Sequence, residues 1–586
     1  MDTCAMDCKE RILSNNYVDI ITDLPVRLGT DDGVDLCYVS VDDQFGVAYV
    51  NRLNIPPLPE NLYDYQNMPK LYGLMQIEGG NPVDGVGIPF SEPFEPGSLE
   101  ASGITQVQRR PLNLTGRGVV VCFLDTGIDY TSDVFRDENG NSRILAIWDQ
   151  TIQDGTPPEG FLYGTEYTRE DINLALQSED PYSVVASRDE NGHGSAMASV
   201  TAGSRIDGGR TFLGAVPDAE IVVVKLKECK PYLREYYLVP EGVPAYAEND
   251  IMLAVKYADS FALVFRRPVV ICIGLGTNMG SHDESSALSI YLNTVSVRRS
   301  RAVVVCSGNE GNAAHHYFGS LPRNNDGTEN SQDVEIRVTE NNIGFFLEFW
   351  GNVPDVFNIA IRSPGGETVP PVRLGILQSV TYSFIYEVTR ITIDSELVEP
   401  SSGEELIILR IQDPTPGIWN FRVTSVGQVN NGGFHMWLPI TQFLSSPVSF
   451  LAPDPYTTLT TPSVAGSVIG VSTYNDENNS FYIESSRGYT RAGDIRPDFA
   501  APGVNVSTMY GKRSGSSLSA AIAAGGVAQF MQWAVVEGGG GQVESREINN
   551  YFRRGAARSR DIVYPNREWG YGRLNMVGTF DAMAEV

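Results

Sequence analysis

Three side chains whose types could together open a peptide carbonyl stand where apolar runs end or helices begin: Asp125 in FLDTGID, His193 in NGHGSAMAS and Ser517 in SGSSLSAA. A serine hydroxyl is a poor nucleophile until an imidazole takes its proton, and the imidazole needs a carboxylate to fix its tautomer and stabilise its charged form. All three types are present, in the order Asp, His, Ser. Each also has an ordinary structural reading. An Asp at a strand end caps a turn, a His flanked by glycines suits a turn, and a Ser before small residues caps a helix. His193 is one of only five histidines in the chain, so the coincidence of the three types favours chemistry.

The elements that must position them read as a parallel sheet. Continuous Val- and Ile-rich runs, GVVVCFLDTG (118–127), AEIVVVKL (219–226), PVVICIGLG (268–276), RAVVVCSGN (301–309) and VAGSVIGVST (464–473), alternate with helical patterns at 195–203, 248–260 and 284–298. Such runs belong to strands buried on both faces, and in these sheets chemistry sits at the carboxyl ends of the strands. The fold class expected is α/β, doubly wound. Residues 1–66 contain alternating runs, DLCYVSV and FGVAYV, after a polar helix near Cys8 to Asn16, and read as a small α+β unit. From Pro69 to Ala101 Gly, Pro and acidic residues suggest a linker. Between about 320 and 450, strands such as VEIRVT, FFLEFWG, ELIILRIQ and WNFRVTSV are separated by turn residues, which predicts an inserted β-sandwich or jelly roll.

Charge and cysteines narrow the partners. A formal net charge of −29 over 586 residues would repel phosphates, so nucleic acid is excluded as a partner and a peptide, protein or glycan is expected. Seven cysteines are an odd number spread thinly, and Cys122, Cys272 and Cys306 lie inside apolar runs. That predicts buried thiols in place of a disulfide framework. Cys4 and Cys8 lack a nearby partner pair, and DENGNS (137–142) lacks the distant Glu of a calcium loop, so neither a metal nor a cofactor is expected. The N-terminus has acidic residues where a signal peptide has basic ones, and no run of about 18 apolar residues occurs, so neither an export signal nor a membrane span is expected.

The motifs together resemble those of the subtilisin-family serine peptidases. VVVCFLDTGID resembles the family's Asp motif, NGHGSAMASVTAG its His motif, CSGNEG its oxyanion-asparagine motif and SGSSLSAAIAAG its Ser motif, with RPDFAAPGVNV (496–506) and GYGRLN (570–575) also matching. The resemblance implies that Asp125 orients His193, that His193 is general base and then acid, and that Ser517 attacks the carbonyl. Asn309 and the backbone N–H of Ser517 would hold the oxyanion. Gly274, Leu275 and Gly276 would pair with an extended substrate, and Cys306, Ser307 and Gly308 would wall the pocket for the residue before the cleaved bond. Ser195 and Ser516 stand where the family usually has Thr, and Ala521 where it has Pro; none of these removes a catalytic group.

The resemblance further implies a propeptide over 1–75, a linker over 76–100, a catalytic domain in two parts (101–320 and 451–586) and the insert at 321–450. Autocleavage is expected after Met75 or Gln76, in MPKLYGLMQIEGG, with the propeptide bound in the cleft. The spacing of 208 residues from Asn309 to Ser517, together with SLEASGI (98–104) and LTGRGVVV (114–121), resembles that of the Csp-type germination proteases of spore-forming clostridia. That implies a protein zymogen such as a spore cortex-lytic enzyme as substrate, and synthesis in the cytoplasm with deposition in the spore. A subtilase of similar architecture with a housekeeping role, or a protease-fold germinant sensor, is the alternative.

Overall fold

The computed structural model describes residues 2–23, 35–54, 65, 67–79, 97–206, 212–323, 330–371 and 377–584. Most of the expected linker, residues 80–96, lies outside these.

The Val- and Ile-rich runs form the centre of a nine-stranded sheet. Strands Ile469–Asn475, Arg301–Cys306, Val269–Ile273, Val120–Asp125, Glu220–Lys225 and Ile144–Asp149 lie side by side in that order, all parallel. Phe499–Pro502 adds a further parallel strand beside Ile469–Asn475. Thr165–Thr168 and Ser480–Phe481 close the edges antiparallel. Successive side chains of one strand enter different cores: Val121 and Phe123 pack on one face, Val120, Cys122 and Leu124 on the other. Helices His193–Ala202 and Ser516–Met531 cover the first face, and Glu248–Val264 and Ala287–Ser296 the second. This two-sided burial is why the strands lack polar alternation.

The stretch 516–536 is the one helix among the described residues long and apolar enough to cross a membrane, and 83% of its most apolar window is buried inside the protein. Its small residues are what let it in. A Cβ on Gly525 would fall 2.2 Å from the Ala215 methyl.

Between the halves of the main sheet the chain builds a sandwich of two antiparallel sheets. One has six strands, in the order His316–Ser320, Gly433–Trp437, Gly344–Gly351, Glu405–Gln412, Arg390–Glu396, Leu377–Ser383. The other has five, centred on Gly417–Ser425 and Ser331–Val338. Inward residues of both, Phe345, Leu347 and Leu409 against Ile336, Trp419 and Phe421, share one core.

At the N-terminus, helix Asp2–Leu13 packs with a three-stranded sheet, Tyr17–Asp23, Phe45–Asn51 and Leu36–Ser40. Cys8 and Cys37 form a disulfide that ties the helix to the last of these strands, with Cα atoms 5.5 Å apart. This corrects the expectation of thiols alone. The partners come from a helix and a strand whose packing the 29-residue separation does not reveal. Cys122, Cys229, Cys272 and Cys306 are free and buried.

The N-terminal unit sits on the second face of the main sheet, where Ile21, Val47 and Tyr49 join the core of Ile251, Met252 and Val255. A buried ion pair links the two: Lys230 Nζ lies 2.6 Å from Asp19 Oδ1. The unit's tail then meets the sandwich, where the Tyr65 hydroxyl donates to Glu348, a buried carboxyl that also accepts from Trp350 Nε1 at 2.9 Å and Gly280 N at 3.0 Å. From there the chain runs into the cleft.

Candidate active site

Asp125 is the last residue of its strand, His193 the first of its helix and Ser517 the second of its helix, so three separate elements converge at one end of the sheet. His193 Nδ1 lies 2.8 and 2.9 Å from the two Asp125 oxygens, and His193 Nε2 lies 3.1 Å from Ser517 Oγ. All three side chains are buried. Burial on its own pushes the imidazole pKa down, but the Asp125 charge, its hydrogen bond and the Met75 carbonyl outweigh it, so the net direction is up from the ordinary histidine value.

The loop before His193 is held by a residue that the sequence did not single out. Asp189 accepts from Thr126 Oγ1 at 2.7 Å and Gly192 N at 2.8 Å with one oxygen, and from Ser195 N at 2.9 Å and Ser195 Oγ at 2.7 Å with the other. Gly192 takes φ 82° there, and a Cβ on Gly194 would fall 2.3 Å from the Gly127 carbonyl oxygen. The two glycines around the histidine are thus required by a left-handed turn and by a close approach, respectively. Four residues of RDENGHGS set the histidine, and only its spacing from Asp189 could have pointed to that carboxylate.

Asn309 follows strand Arg301–Cys306. Its Oδ1 accepts from the Ser516 backbone N–H at 3.1 Å, which turns its Nδ2 toward the cleft, 2.9 Å from the carbonyl oxygen of Gln76. Asn309 therefore faces the Gln76 oxygen, while Ser517 Oγ and His193 Nε2 face the adjacent Met75 oxygen at 2.8 and 3.2 Å.

A segment of the chain itself fills the cleft. Strand Leu71–Leu74 is the middle of a three-stranded antiparallel sheet, between Leu275–Gly276 and Tyr246–Ala247. Gly274, Leu275 and Gly276 thus pair with an extended segment, and the second wall, Tyr246 and Ala247, had no signal in the sequence. Met75 N donates to the Gly274 carbonyl at 2.9 Å, and Met75 Cε lies 3.2 Å from where a Gly276 Cβ would be. The same pocket is bounded by Thr460, whose side chain reaches to 2.4 Å of a Gly276 Cβ and 2.6 Å of a Gly308 Cβ. Ser307 lies behind, its carbonyl accepting from Thr460 N at 3.0 Å. Cys306 is sealed in the core, and burial pushes its thiol up to about 12. Beyond Met75, Glu78 and Ser514 exchange backbone hydrogen bonds of 2.6 and 2.8 Å. Tyr72 is fully buried in the second core.

Among the described residues no group of three or more His, Cys, Asp or Glu side chains could hold a metal ion. Asp137, in the DENGNS stretch, accepts from Asn139 N at 2.9 Å and Asn141 N at 2.8 Å, the pattern of a turn. The arrangement can do one kind of chemistry well. A hydroxyl beside an imidazole backed by a carboxylate, with an amide donor on the next carbonyl of the same segment, is suited to acyl transfer.

The subtilase family model matches residues 116–335 and 452–572, the two stretches on either side of most of the sandwich. The CspB protease of Clostridium perfringens is similar over 83% of this chain and 97% of its own, with 29% identity and a TM-score of 0.73. MycP1 from Mycobacterium smegmatis is 14% identical with a TM-score of 0.39, over 87% of this chain and 89% of its own. Fervidolysin from Fervidobacterium pennivorans is 12% identical with a TM-score of 0.45, over 96% of this chain and 61% of its own. No curated protein sequence matches the chain.

Proposed function

The chain belongs to the subtilase family, the subtilisin-like serine peptidases, and from that premise we propose that Asp125, His193, Ser517 and Asn309 hydrolyse peptide bonds through an acyl-enzyme. We further propose that residues 1–75 are a propeptide that occupies the cleft and is cut away by the same serine. The observation that carries both is the Met75 carbonyl oxygen, 2.8 Å from Ser517 Oγ and 3.2 Å from His193 Nε2.

The steps follow from the geometry. His193 Nε2 takes the hydroxyl proton as Ser517 Oγ bonds to the carbonyl carbon, and the developing oxyanion moves to Asn309 Nδ2. The imidazolium, held by Asp125, then gives its proton to the leaving nitrogen as the C–N bond breaks. Water, activated by the same imidazole, opens the acyl-enzyme. Strand register and the seat of the Met75 side chain favour the Met75–Gln76 bond. For that bond to react, the Met75 oxygen must turn from the hydroxyl into the place now taken by the Gln76 oxygen.

Mass spectrometry of wild type and Ser517→Ala tests this reading. The wild type should carry a new N-terminus at Gln76 and the variant none. A new N-terminus at Ile77 would move the reading to Gln76, and cleavage unchanged in Ser517→Ala would end it.

Similarity to the CspB protease supports a finer reading, a germination role in which the enzyme cuts a protein zymogen such as a cortex-lytic hydrolase in the spore. A complete set of Asp, His, Ser and Asn in hydrogen-bonding reach supports an enzyme over a silent sensor. Incubation of the processed protein with such a zymogen, read by mass spectrometry, tests it: the zymogen cut once near its own propeptide junction would support the role, and a zymogen left intact would remove it.

A further inference from the structure

The sandwich reaches into the cleft through the connection 440–442. Gln442 Nε2 donates to the carbonyl oxygen of Leu74 at 2.6 Å, so the insert binds the backbone of the segment directly. The connection is pinned beside the oxyanion asparagine. Thr441 N and Thr441 Oγ1 both donate to Glu310 Oε1 at 3.0 Å, and His315 Nδ1 lies 2.6 Å from Glu310 Oε2.

This placement leaves no room for a side chain at residue 73 unless Gln442 and Ile440 move. A Cβ there would fall 1.9 Å from Gln442 Nε2 and 2.6 Å from Ile440 Cδ1. Gly73 lies in strand Leu71–Leu74 and is not among the residues with positive φ, so its backbone makes no demand for glycine. The demand is one of space alone, and it comes from the insert. An alanine at this position would force Gln442 aside, into an adjoining cavity of about 220 Å³, at the loss of its bond to Leu74.

We propose that Gln442, backed by Ile440, is a specificity-determining residue, and that it favours protein segments with glycine two positions before the residue in the Gly276–Thr460 pocket. The inference rests on the peptidase reading only in that a substrate follows the path of residues 71–76.

Hydrogen exchange of the full-length Ser517→Ala chain reads the fit without catalysis. Gly73→Ala in that background should raise exchange of the amides of residues 71–76 about tenfold, whereas the same change made on top of Gln442→Ala should raise it no more than about twofold over Gln442→Ala alone. Amides of the main sheet serve as the internal reference for folding. In a second arm, the wild type should cleave acetyl-Lys-Leu-Tyr-Gly-Leu-Met-aminocoumarin with a kcat/KM about tenfold above its Gly→Ala analogue, and Gln442→Ala should cut that preference to about twofold. Equal exchange in parent and Gly73→Ala, or an effect of Gly73→Ala that Gln442→Ala leaves unchanged, overturns the proposal. The expected exchange pattern without cleavage of either peptide would support the glycine rule and defeat the peptidase reading instead.

Discussion

Ser517 Oγ and the carbonyl oxygen of Met75 are 2.8 Å apart, while the next carbonyl, that of Gln76, takes the Asn309 amide 2.9 Å away. The hydroxyl therefore has three acceptors, the Met75 oxygen, the Gly274 oxygen and His193 Nε2, and only the last activates it. On the proposed reading, the peptide plane between Met75 and Gln76 turns before attack. Such an arrangement suits an inhibitor that is also a slow substrate, because the donor for the oxyanion is occupied until the plane turns.

Asn309→Ala removes that donor. It also frees the Gln76 oxygen, so the resting grip on the segment weakens while the transition state loses a charge-stabilising hydrogen bond. Cleavage of a peptide substrate should fall about 10²- to 10³-fold in kcat with KM little changed. Stopped-time assays of the processed enzyme check it. A loss confined to KM would mean that Asn309 binds the ground state only.

The raised pKa of His193 sets the acid limb of the rate. The imidazole must be neutral to act as base, so kcat/KM should rise with pH through a value above the ordinary histidine range. The linkage has the opposite sense for stability. Because the fold favours the protonated ring, its contribution is full below the ordinary histidine value and is lost as pH rises through the raised one. Asp125→Asn removes the largest stabilising charge. A kcat/KM profile over pH 5 to 9 should show the limb moving down and the plateau dropping about 10⁴-fold.

The convergence of Asp125, His193 and Ser517 was legible because each is fixed by its own short neighbourhood. Asp125 closes a run of apolar strand residues, and His193 and Ser517 start helices of small residues that pack tightly. What was not legible depends on contacts between distant segments. Gln442 meets Leu74 across 368 residues, and Tyr65 meets Glu348 across 283. Cys37 lies in an alternating run that gives no hint of the helix bearing Cys8. The sandwich was visible as strands and turns, but its reach into the cleft lies in three residues, Ile440, Thr441 and Gln442, that look like any connection.

Glu405, buried in the sandwich, offers a pH-dependent stability. Burial pushes its carboxyl up to about 8, against one hydrogen bond from Phe357 N at 2.9 Å. A raised carboxyl pKa means that the folded state prefers the protonated form, so stability falls as pH rises from the ordinary carboxylate range to about 8. Glu405→Gln should remove that slope. Denaturant melts should show the variant more stable than wild type by about 2 to 4 kcal/mol at pH 9 and level with it at pH 4. Equal slopes in the two proteins would show that Glu405 does not titrate in this range.

The Asp19–Lys230 pair governs how the N-terminal unit is held. Burial dominates both partners: it raises the Asp19 pKa despite Lys230 and Lys227, and it lowers that of Lys230 despite Asp19. Desolvation thus outweighs mutual attraction, and the pair contributes orientation more than net stability. Tyr232 and Asn249 add direction, the first accepting from Asp19 N at 2.8 Å and the second donating to Asp19 Oδ2 at 3.2 Å. Lys230→Met alone leaves a buried carboxylate without its cation and should destabilise the contact by about 3 to 5 kcal/mol. Asp19→Leu with Lys230→Met should be neutral, or tighter by about 1 to 4 kcal/mol. Hydrogen exchange of strand Tyr17–Asp23 in the Ser517→Ala chain separates these outcomes, because the single variant should open the strand and the double variant should close it again. A double variant as open as the single one would mean that the ion pair itself, with its charges, fastens the unit to the sheet.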